Sequence, residues 1–351
     1  MPNVHRSRTI ICAWLAVAMA GAATAQQPAG RRWYKGNTHT HTLNSDGDSP
    51  PSVVTQWYRE HGYQFVVITD HEFITDVTPL NALYGAAGMF LVIPGQEVTD
   101  RVPDSSHPEG RRAAHMNALG TRTVIRPAGG TTIAETYARN LPRIRAAGGV
   151  PQVNHPNWRW SVSLDDMLAL PDSTIFEVWN GHPGINNLGG ADGAGRSSPS
   201  TDALWDSLLT RGKLLFGAAT DDVHTFARPW DRREPRPGQA WVVVRADTLT
   251  PEAILEGLRR GDFYASTGIS IKDYQADDTG IVIALQRTGY ASDDTRFHTE
   301  FVGKGGRVLA AVDGLEARYR FRGDEGYVRA RITDSYGSRA WTQPVILPRR
   351  R

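Results

Sequence analysis

From Trp33 onward, short apolar runs rich in β-branched residues alternate with stretches of helical period. The runs are Trp33–Thr40, Gln64–Asp70, Met89–Pro94, Ala113–Leu119, Gly149–Asn154, Thr174–Trp179 and Leu214–Ala219. Continuous rather than alternating apolarity is the mark of strands covered on both faces. Between them, helices are expected from Ser52 to His61, from Thr131 or Thr132 to about Ala147, from Ser163, and from Asp202 to Arg211. Each begins near a hydroxyl or carboxylate able to cap free backbone N–H groups. Roughly seven strands separated by helices predict a parallel sheet closed into a β/α barrel. An open doubly wound sheet is the alternative, but no glycine-rich phosphate loop follows the first run.

The rhythm continues through Trp241–Val244 and a helix opened by Thr250-Pro251-Glu252 and reaching Arg260. Proline is well placed there, at a first helical position with no N–H to satisfy. From Ile271 the texture changes to short strands divided by Gly and Asp turns: Ile281–Leu285, Thr299–Val302, Val308–Val312, Arg318–Arg322, Val328–Ile332 and Ala340–Ile346. A small antiparallel β-sandwich is expected. The predicted layout is a leader over 1–25, an α/β barrel with its extension over 31–270, and the sandwich over 271–348.

The leader is read from His5, Arg6 and Arg8, the apolar run Thr9–Ala20, and the small-residue site Ala23-Thr24-Ala25. About 12 apolar residues are too few to span a bilayer, so a cleavable signal peptide is expected, with export to a periplasm or beyond. Its removal takes away Cys12, the only cysteine, and with it any thiolate ligand or cysteine nucleophile. Removing Arg6 and Arg8 also leaves 37 basic against 37 acidic residues. Such neutrality speaks against broad nucleic-acid affinity, and no further segment is apolar enough for a membrane span.

Chemistry collects at the predicted strand ends. Thr38-His39-Thr40-His41-Thr42 places two imidazoles on one face of an extended chain, and Ser45-Asp46-Gly47 follows in a turn. Later runs bring Thr69-Asp70-His71, Gly95-Gln96-Glu97, Ala114-His115-Met116-Asn117, Asn154-His155-Pro156 and Thr220-Asp221-Asp222-Val223-His224. Six of the 11 histidines fall in these clusters, at the end of a parallel barrel where catalytic residues gather. Imidazole with carboxylate is a donor set for zinc, manganese or iron.

In these motifs the sequence resembles the polymerase-and-histidinol-phosphatase (PHP) superfamily of metal-dependent phosphoesterases. The likeness spans roughly residues 33–225. The segment ending Asp262-Phe263-Tyr264-Ala265-Ser266-Thr267-Gly268 resembles an extension found in a branch that includes carbamate-ester hydrolases. The resemblance implies a distorted seven-stranded β/α barrel and up to three divalent ions. It implies His39, His41, Glu97 and Asp222 at the first ion, Asp46, His71 and His224 at the second, and His115 and His155 at the third, with Glu97 bridging. Gly36-Asn37-Thr38 replaces the Asp-Leu that precedes the first histidine in many relatives, which alters the surroundings of the ligands.

Three divalent ions carry about +6 and three carboxylates return part of it, so a cleft of roughly +3 would attract an anionic ester. The expected reaction is therefore hydrolysis of a small-molecule phosphoester by metal-activated water, with Asp70, His182 or a water supplying the leaving-group proton. The same centre would also serve carbamate or carboxylic ester hydrolysis. Trp158, Trp160, Trp179 and Trp230 would then wall an aryl leaving group, although packing is the better expectation for Trp179. Arg159 and Arg228 are candidate phosphate clamps, and His107 a candidate substrate contact. A reading of another class is an exported binding protein with structural metals.

Overall fold

The computed structural model describes residues 30–191, 195–287 and 294–347, so the expected leader lies outside the described residues. The chain begins with β1 (Arg32–Asn37), α1 (Pro51–Glu60), β2 (Phe65–Ile68) and α2 (Thr78–Tyr84). A long hairpin follows, β3 (Leu91–Pro103) and β4 (Arg111–Leu119), then α3 (Ile133–Ala146), β5 (Val150–Val153), α4 (Leu164–Leu168) and β6 (Thr174–Asn180). A two-stranded flap of β7 (Gly190–Ala191) and β8 (Ser197–Ser198) precedes α5 (Thr201–Thr210) and β9 (Leu215–Thr220). Next come β10 (Trp241–Ala246), α6 (Pro251–Arg260), β11 (Phe263–Ser266), β12 (Ser270–Ala276) and β13 (Gly280–Gln286). The last strands are β14 (Phe297–Gly303), β15 (Arg307–Asp313), β16 (Glu316–Arg320), β17 (Tyr327–Asp334), β18 (Arg339–Thr342) and β19 (Val345–Ile346). Among the described residues no helix is long and apolar enough to cross a membrane.

The result is a mixed α/β protein with one large sheet and few helices. Its strand order is β15-β14-β17-β18-β11-β10-β1-β2-β3-β4-β5-β6-β9, and β19 joins β17. A second sheet runs β12-β13-β16. Strands on both sides of the expected boundary near residue 270 share the large sheet, because β11 pairs with β18. The second sheet shares a core with it: Ile281, Ile283 and Tyr319 pack with Phe301, Val328 and Ile332.

The expectation of parallel strands needs correction in the middle of the sheet. β1/β2, β2/β3, β5/β6 and β6/β9 are parallel, but β4 runs antiparallel to both β3 and β5. β3 is also far longer than its apolar start suggested. Beyond Pro94 it continues as Gly95-Gln96-Glu97-Val98-Thr99-Asp100-Arg101-Val102, which looks polar in sequence. There Val98 and Val102 are buried while Arg101 is exposed, a one-faced alternation that the hairpin partner completes. Helix α1 starts two residues earlier than expected, with Pro50 rather than Ser52 at its cap.

Other helices form where their caps predict. The Thr132 hydroxyl accepts from Glu135 N at 3.1 Å, and Ile133, Tyr137, Leu141 and Ile144 bury one face of α3. Ser163 and Asp166 form a reciprocal capping box on α4. α6 opens on Thr250 and Pro251 and stops at Gly261, whose φ of 73° suits glycine at a helix end.

Nine strands feed one apolar cluster, β10 and β11 through Val242, Val244 and Phe263. Tyr34, Phe65, Ile93, Leu119, Val150, Ile175 and Phe216 come from the other seven, β1, β2, β3, β4, β5, β6 and β9, and Ile254 and Leu258 of α6 pack with them. Truncating one of these, such as Ile175 to alanine, costs about 2–5 kcal/mol. The two outer strands of these seven meet just past their ends: Asp222 N donates to His39 O at 3.1 Å and His41 N to Val223 O at 3.0 Å. This junction brings the histidine-bearing segments together.

Candidate metal centre

His39 and His41 follow β1 in extended chain, both wholly buried, with ring centroids 5.1 Å apart. Their backbone is clamped from several sides. Asn37 accepts His39 N at 2.9 Å through Oδ1 and donates to Ala240 O at 3.0 Å through Nδ2. That is the local consequence of an asparagine at this position. Gly47 turns the next loop so close that a Cβ would sit 2.8 Å from the His41 carbonyl, so the turn needs glycine.

Glu97 stands at the middle of the site, buried near the centre of β3. Its Oε2 lies 3.2 Å from His39 Nε2, 3.3 Å from His41 Nε2 and 3.3 Å from His71 Nδ1. Its Oε1 lies 3.1 Å from His115 Nδ1 and 3.4 Å from His155 Nε2, and accepts from Asn154 Nδ2 at 2.9 Å. Asp222 Oδ1 is 3.2 Å from His39 Nε2 and 3.3 Å from His41 Nε2. Asp46, half exposed on its loop, lies 3.4 Å from His71 Nε2, 3.5 Å from His224 Nε2 and 3.4 Å from His41 Nδ1. Three donor groups result: His39, His41 and Glu97 with Asp222 beside them; His41, Asp46, His71 and His224; and Glu97, His115 and His155.

Do these donors suit divalent ions? A tetrahedron with bonds of about 2.0 Å has edges of about 3.3 Å. The four measured edges among His39, His41, Glu97 and Asp222 are 3.2–3.3 Å. His41 Nε2 is buried without a hydrogen-bond partner although it faces two carboxylates, and His115 Nε2 is likewise unpartnered. His39 Nδ1 is 2.7 Å from Glu177 Oε1, and His224 Nδ1 donates to Asp222 O at 2.9 Å. Each bond fixes the proton on Nδ1 and leaves the Nε2 lone pair for a cation. The set fits nitrogen-and-oxygen ligation of divalent metal.

Electrostatics tell the same story. Burial alone would lower the His41 pKa, but Asp222 and Glu97 outweigh it and lift the ring to about 9. His39 is raised well above its ordinary value against the same burial, by Asp222, Glu97 and Glu177. Burial would push Glu97 up, yet His71, His39 and His115 hold it well below the usual carboxylate range. His115 goes the other way: burial takes it down to about 4. Cations in this cluster would replace the protons now shared between rings and carboxylates.

Two of the donors, His155 at φ 27° and Asp222 at φ 49°, are held in the left-handed region, as are Glu72, Arg159, Trp160 and Ser173. Of the adjacent pair, Asp222 faces the imidazoles. Asp221 instead accepts from Tyr58 Oη at 2.7 Å and from the backbone N–H groups of Gly238, Gln239 and Ala240 at 2.9, 2.6 and 2.9 Å.

The nine candidate ligands are thus brought together, His115 from within antiparallel β4 rather than from a strand end. Asp70 has a different place from that of a proton donor. It accepts from Thr42 N, Thr42 Oγ1, Ser45 Oγ and Thr75 Oγ1 at 2.7–2.9 Å, anchoring the loop that carries Asp46. His182 does reach the site, its ring 5.6 Å from that of His224, and its Nδ1 accepts from Gly184 N at 2.9 Å. His107 is bonded through Nε2 to Arg159 O at 2.9 Å, and through Nδ1 to Glu109 N. Trp158 lies 5.2 and 5.1 Å from the His115 and His155 rings, whereas Trp179 packs against Trp341 and Trp230 is exposed. Arg159 pairs with Glu109 and Arg228 with Glu234, so neither side chain stands as a separate clamp.

Glu177 was not anticipated. It sits wholly buried in β6 and accepts from Thr220 Oγ1, Asn180 Nδ2 and His155 N at 2.6, 2.7 and 2.7 Å besides its bond to His39. The one sequence signal was an acid inside the apolar run Thr174-Ile175-Phe176-Glu177-Val178-Trp179.

No family model matches the chain, and no curated protein matches it. Among solved structures it is similar to a two-domain protein containing a predicted PHP-like metal-dependent phosphoesterase from Bacteroides vulgatus ATCC 8482. The TM-score is 0.47 and the identity 16%, over 87% of this chain and 91% of that one. It is also similar to a proposed metal-dependent phosphoesterase from Bifidobacterium adolescentis ATCC 15703, with a TM-score of 0.37 and 16% identity over 57% of this chain and 89% of that one. An endonuclease/exonuclease/phosphatase from Beutenbergia cavernae DSM 12333 gives 0.30 and 12%, over 89% and 100%. At these levels the functional reading rests on the site's own geometry.

Proposed function

We propose that the chain is an exported, metal-dependent hydrolase of small anionic esters, with phosphoester cleavage the reading best supported. The observation that carries it is Glu97, whose two oxygens face separate imidazole groups, His39, His41 and His71 on one side and His115 and His155 on the other. A carboxylate so placed suits neighbouring cations on one site. His39, His41, Glu97 and Asp222 would hold one ion, Asp46, His71 and His224 a second, and His115 and His155 with Glu97 a third. When bound, divalent ions supply Lewis-acid polarisation and activation of water.

The chain's own residues supply the rest. Gly184 N donates to His182 Nδ1, so the proton of the neutral ring is on Nε2. Burial lowers the His182 pKa, which keeps that ring neutral and able to hand a hydrogen bond to a substrate oxygen. Trp158 packs against the His115 and His155 rings and lends that side of the site an aromatic wall. Asp70 fixes the Asp46 loop rather than moving a proton. We read the seven strands that share one core and meet at Thr40 and Val223 as a distorted barrel, and the paired C-terminal sheets as a sandwich.

Trp158 favours a second reading, hydrolysis of aryl carbamates or carboxylic esters, because an aromatic wall suits an aryl group. The test is reconstitution with manganese, zinc or iron, followed by assay with 4-nitrophenyl phosphate, bis(4-nitrophenyl) phosphate and an aryl carbamate. Phosphoester turnover that chelator abolishes is expected. Preference for the carbamate would favour the second reading. Bound metal with no turnover of any of them would leave an exported binding protein.

A further inference from the structure

Away from the metals, a separate pocket of about 640 Å³ opens between α1, the outer face of β1 and β10, and the turns around Ser270 and Ser338. Such a volume is ordinary for a small-ligand site. Its walls include Trp57, Tyr63 and Trp241, and Lys35 of β1 reaches into it. Lys35 Nζ lies 3.9 Å from the Tyr63 ring centroid and 3.9 Å from that of Trp241, held between two aromatic faces.

An ammonium has three N–H donors and no acceptor. Among the described residues, Lys35 Nζ makes no hydrogen bond or ion pair, and aromatic faces satisfy its charge only in part. The nearby acid, Asp221, already spends its oxygens on Tyr58 and the backbone of 238–240. Asp334 also lines the pocket, but its Oδ1 accepts from Tyr336 N and Ser338 N at 2.9 Å each and holds the turn. A partly buried cation between aromatic rings, with no protein group bonded to its ammonium, suits an anion carried on a ring. Burial lowers the Lys35 pKa to about 8, with Asp221 opposing, which leaves it charged at neutral pH.

We propose that this pocket binds a small aromatic carboxylate, its carboxylate on Lys35 and its ring against the aromatic wall to which Trp57 and Trp241 contribute. The site is distinct from the metal centre and does not depend on the hydrolase reading.

Benzoate is the probe, with acetate and benzyl alcohol as partial mimics, titrated into the full chain both metal-free and metal-loaded. Tryptophan fluorescence reports binding, since Trp57 and Trp241 line the pocket. The expected result is saturable quenching by benzoate in both states, at least tenfold weaker with either mimic and at least tenfold weaker in Lys35→Met. Circular dichroism checks that this variant folds. Should it not, Ser270→Trp, which closes the rim and keeps the lysine, is expected to abolish quenching. Undiminished binding in either folded variant overturns the proposal. So does benzoate binding only when metal is present, or no saturable binding at all.

Discussion

His39 Nδ1 meets Glu177 Oε1 at 2.7 Å inside the protein, with both side chains wholly buried. The carboxylate accepts the Nδ1 proton, turns the ring and leaves Nε2 facing Glu97 and Asp222. Partners of this kind set ligand orientation and basicity, and their loss costs about 10–100-fold in metal affinity or activity. Glu177→Gln keeps the shape but exchanges an acceptor for an amide. We expect 10–100-fold weaker metal binding in a chelator-competition titration. Unchanged affinity would remove Glu177 from the site's working parts.

Proton competition gives a second expectation. The metal-free fold favours protonated His41 up to about pH 9, and a cation must displace that proton. Apparent metal affinity should therefore rise with pH and level off near 9. The sign for stability is opposite. A raised histidine pKa stabilises the metal-free fold fully below its unfolded value near 6.5, and this contribution fades as pH rises through 9. Calorimetry of metal binding in buffers of different ionisation enthalpy would show proton release that falls toward pH 9. Release that does not vary with pH would contradict the assignment.

His115 separates the donor groups. It approaches Glu97 Oε1 but belongs to neither the His39–Asp222 set nor the Asp46 set. His115→Ala should lower metal content by about one ion per chain and leave the other positions filled, since a site losing one of three protein ligands binds poorly. Elemental analysis after gel filtration reads the difference. Metal content and turnover unchanged from the parent would mean that His115 holds no ion and that the third assignment is wrong.

The donors were legible because metal ligation restricts residue types: His39-x-His41, Asp70-His71, Asn154-His155 and Asp222-x-His224 stand out among apolar runs. Strand direction was less so. β3 beyond Pro94 is polar in composition, and only the partner strand shows that Val98 and Val102 bury one side of a hairpin. Helix α2 and strand β12 had too short or too mixed a pattern to register. Asp70 looked like chemistry because it precedes His71. Four hydrogen bonds from the Asp46 loop and Thr75 show a structural anchor, and no local sequence feature encodes donors 25 to 28 residues away.

A last expectation concerns the contact between α5 and β17. Arg329 is wholly buried and meets Asp206 through two bonds of 2.9 and 2.8 Å, Asp202 through one of 2.7 Å, and the Trp205 face at 4.7 Å. Tyr327 Oη donates to the same Asp206 at 2.9 Å. Burying a guanidinium is costly, and what balances it is this pair of acids on one helix face, four residues apart. Asp206→Ala would leave the buried guanidinium with Asp202 alone and the tyrosine without its carboxylate acceptor. A loss of about 3–5 kcal/mol is expected from urea unfolding. The ligands lie on other elements, so metal content per folded chain should not change. Replacing Arg329 and Asp206 together by Met and Leu should recover much of the loss, because an apolar pair carries no desolvation penalty. If the double variant is as unstable as the single one, packing rather than the buried charge holds α5 to β17.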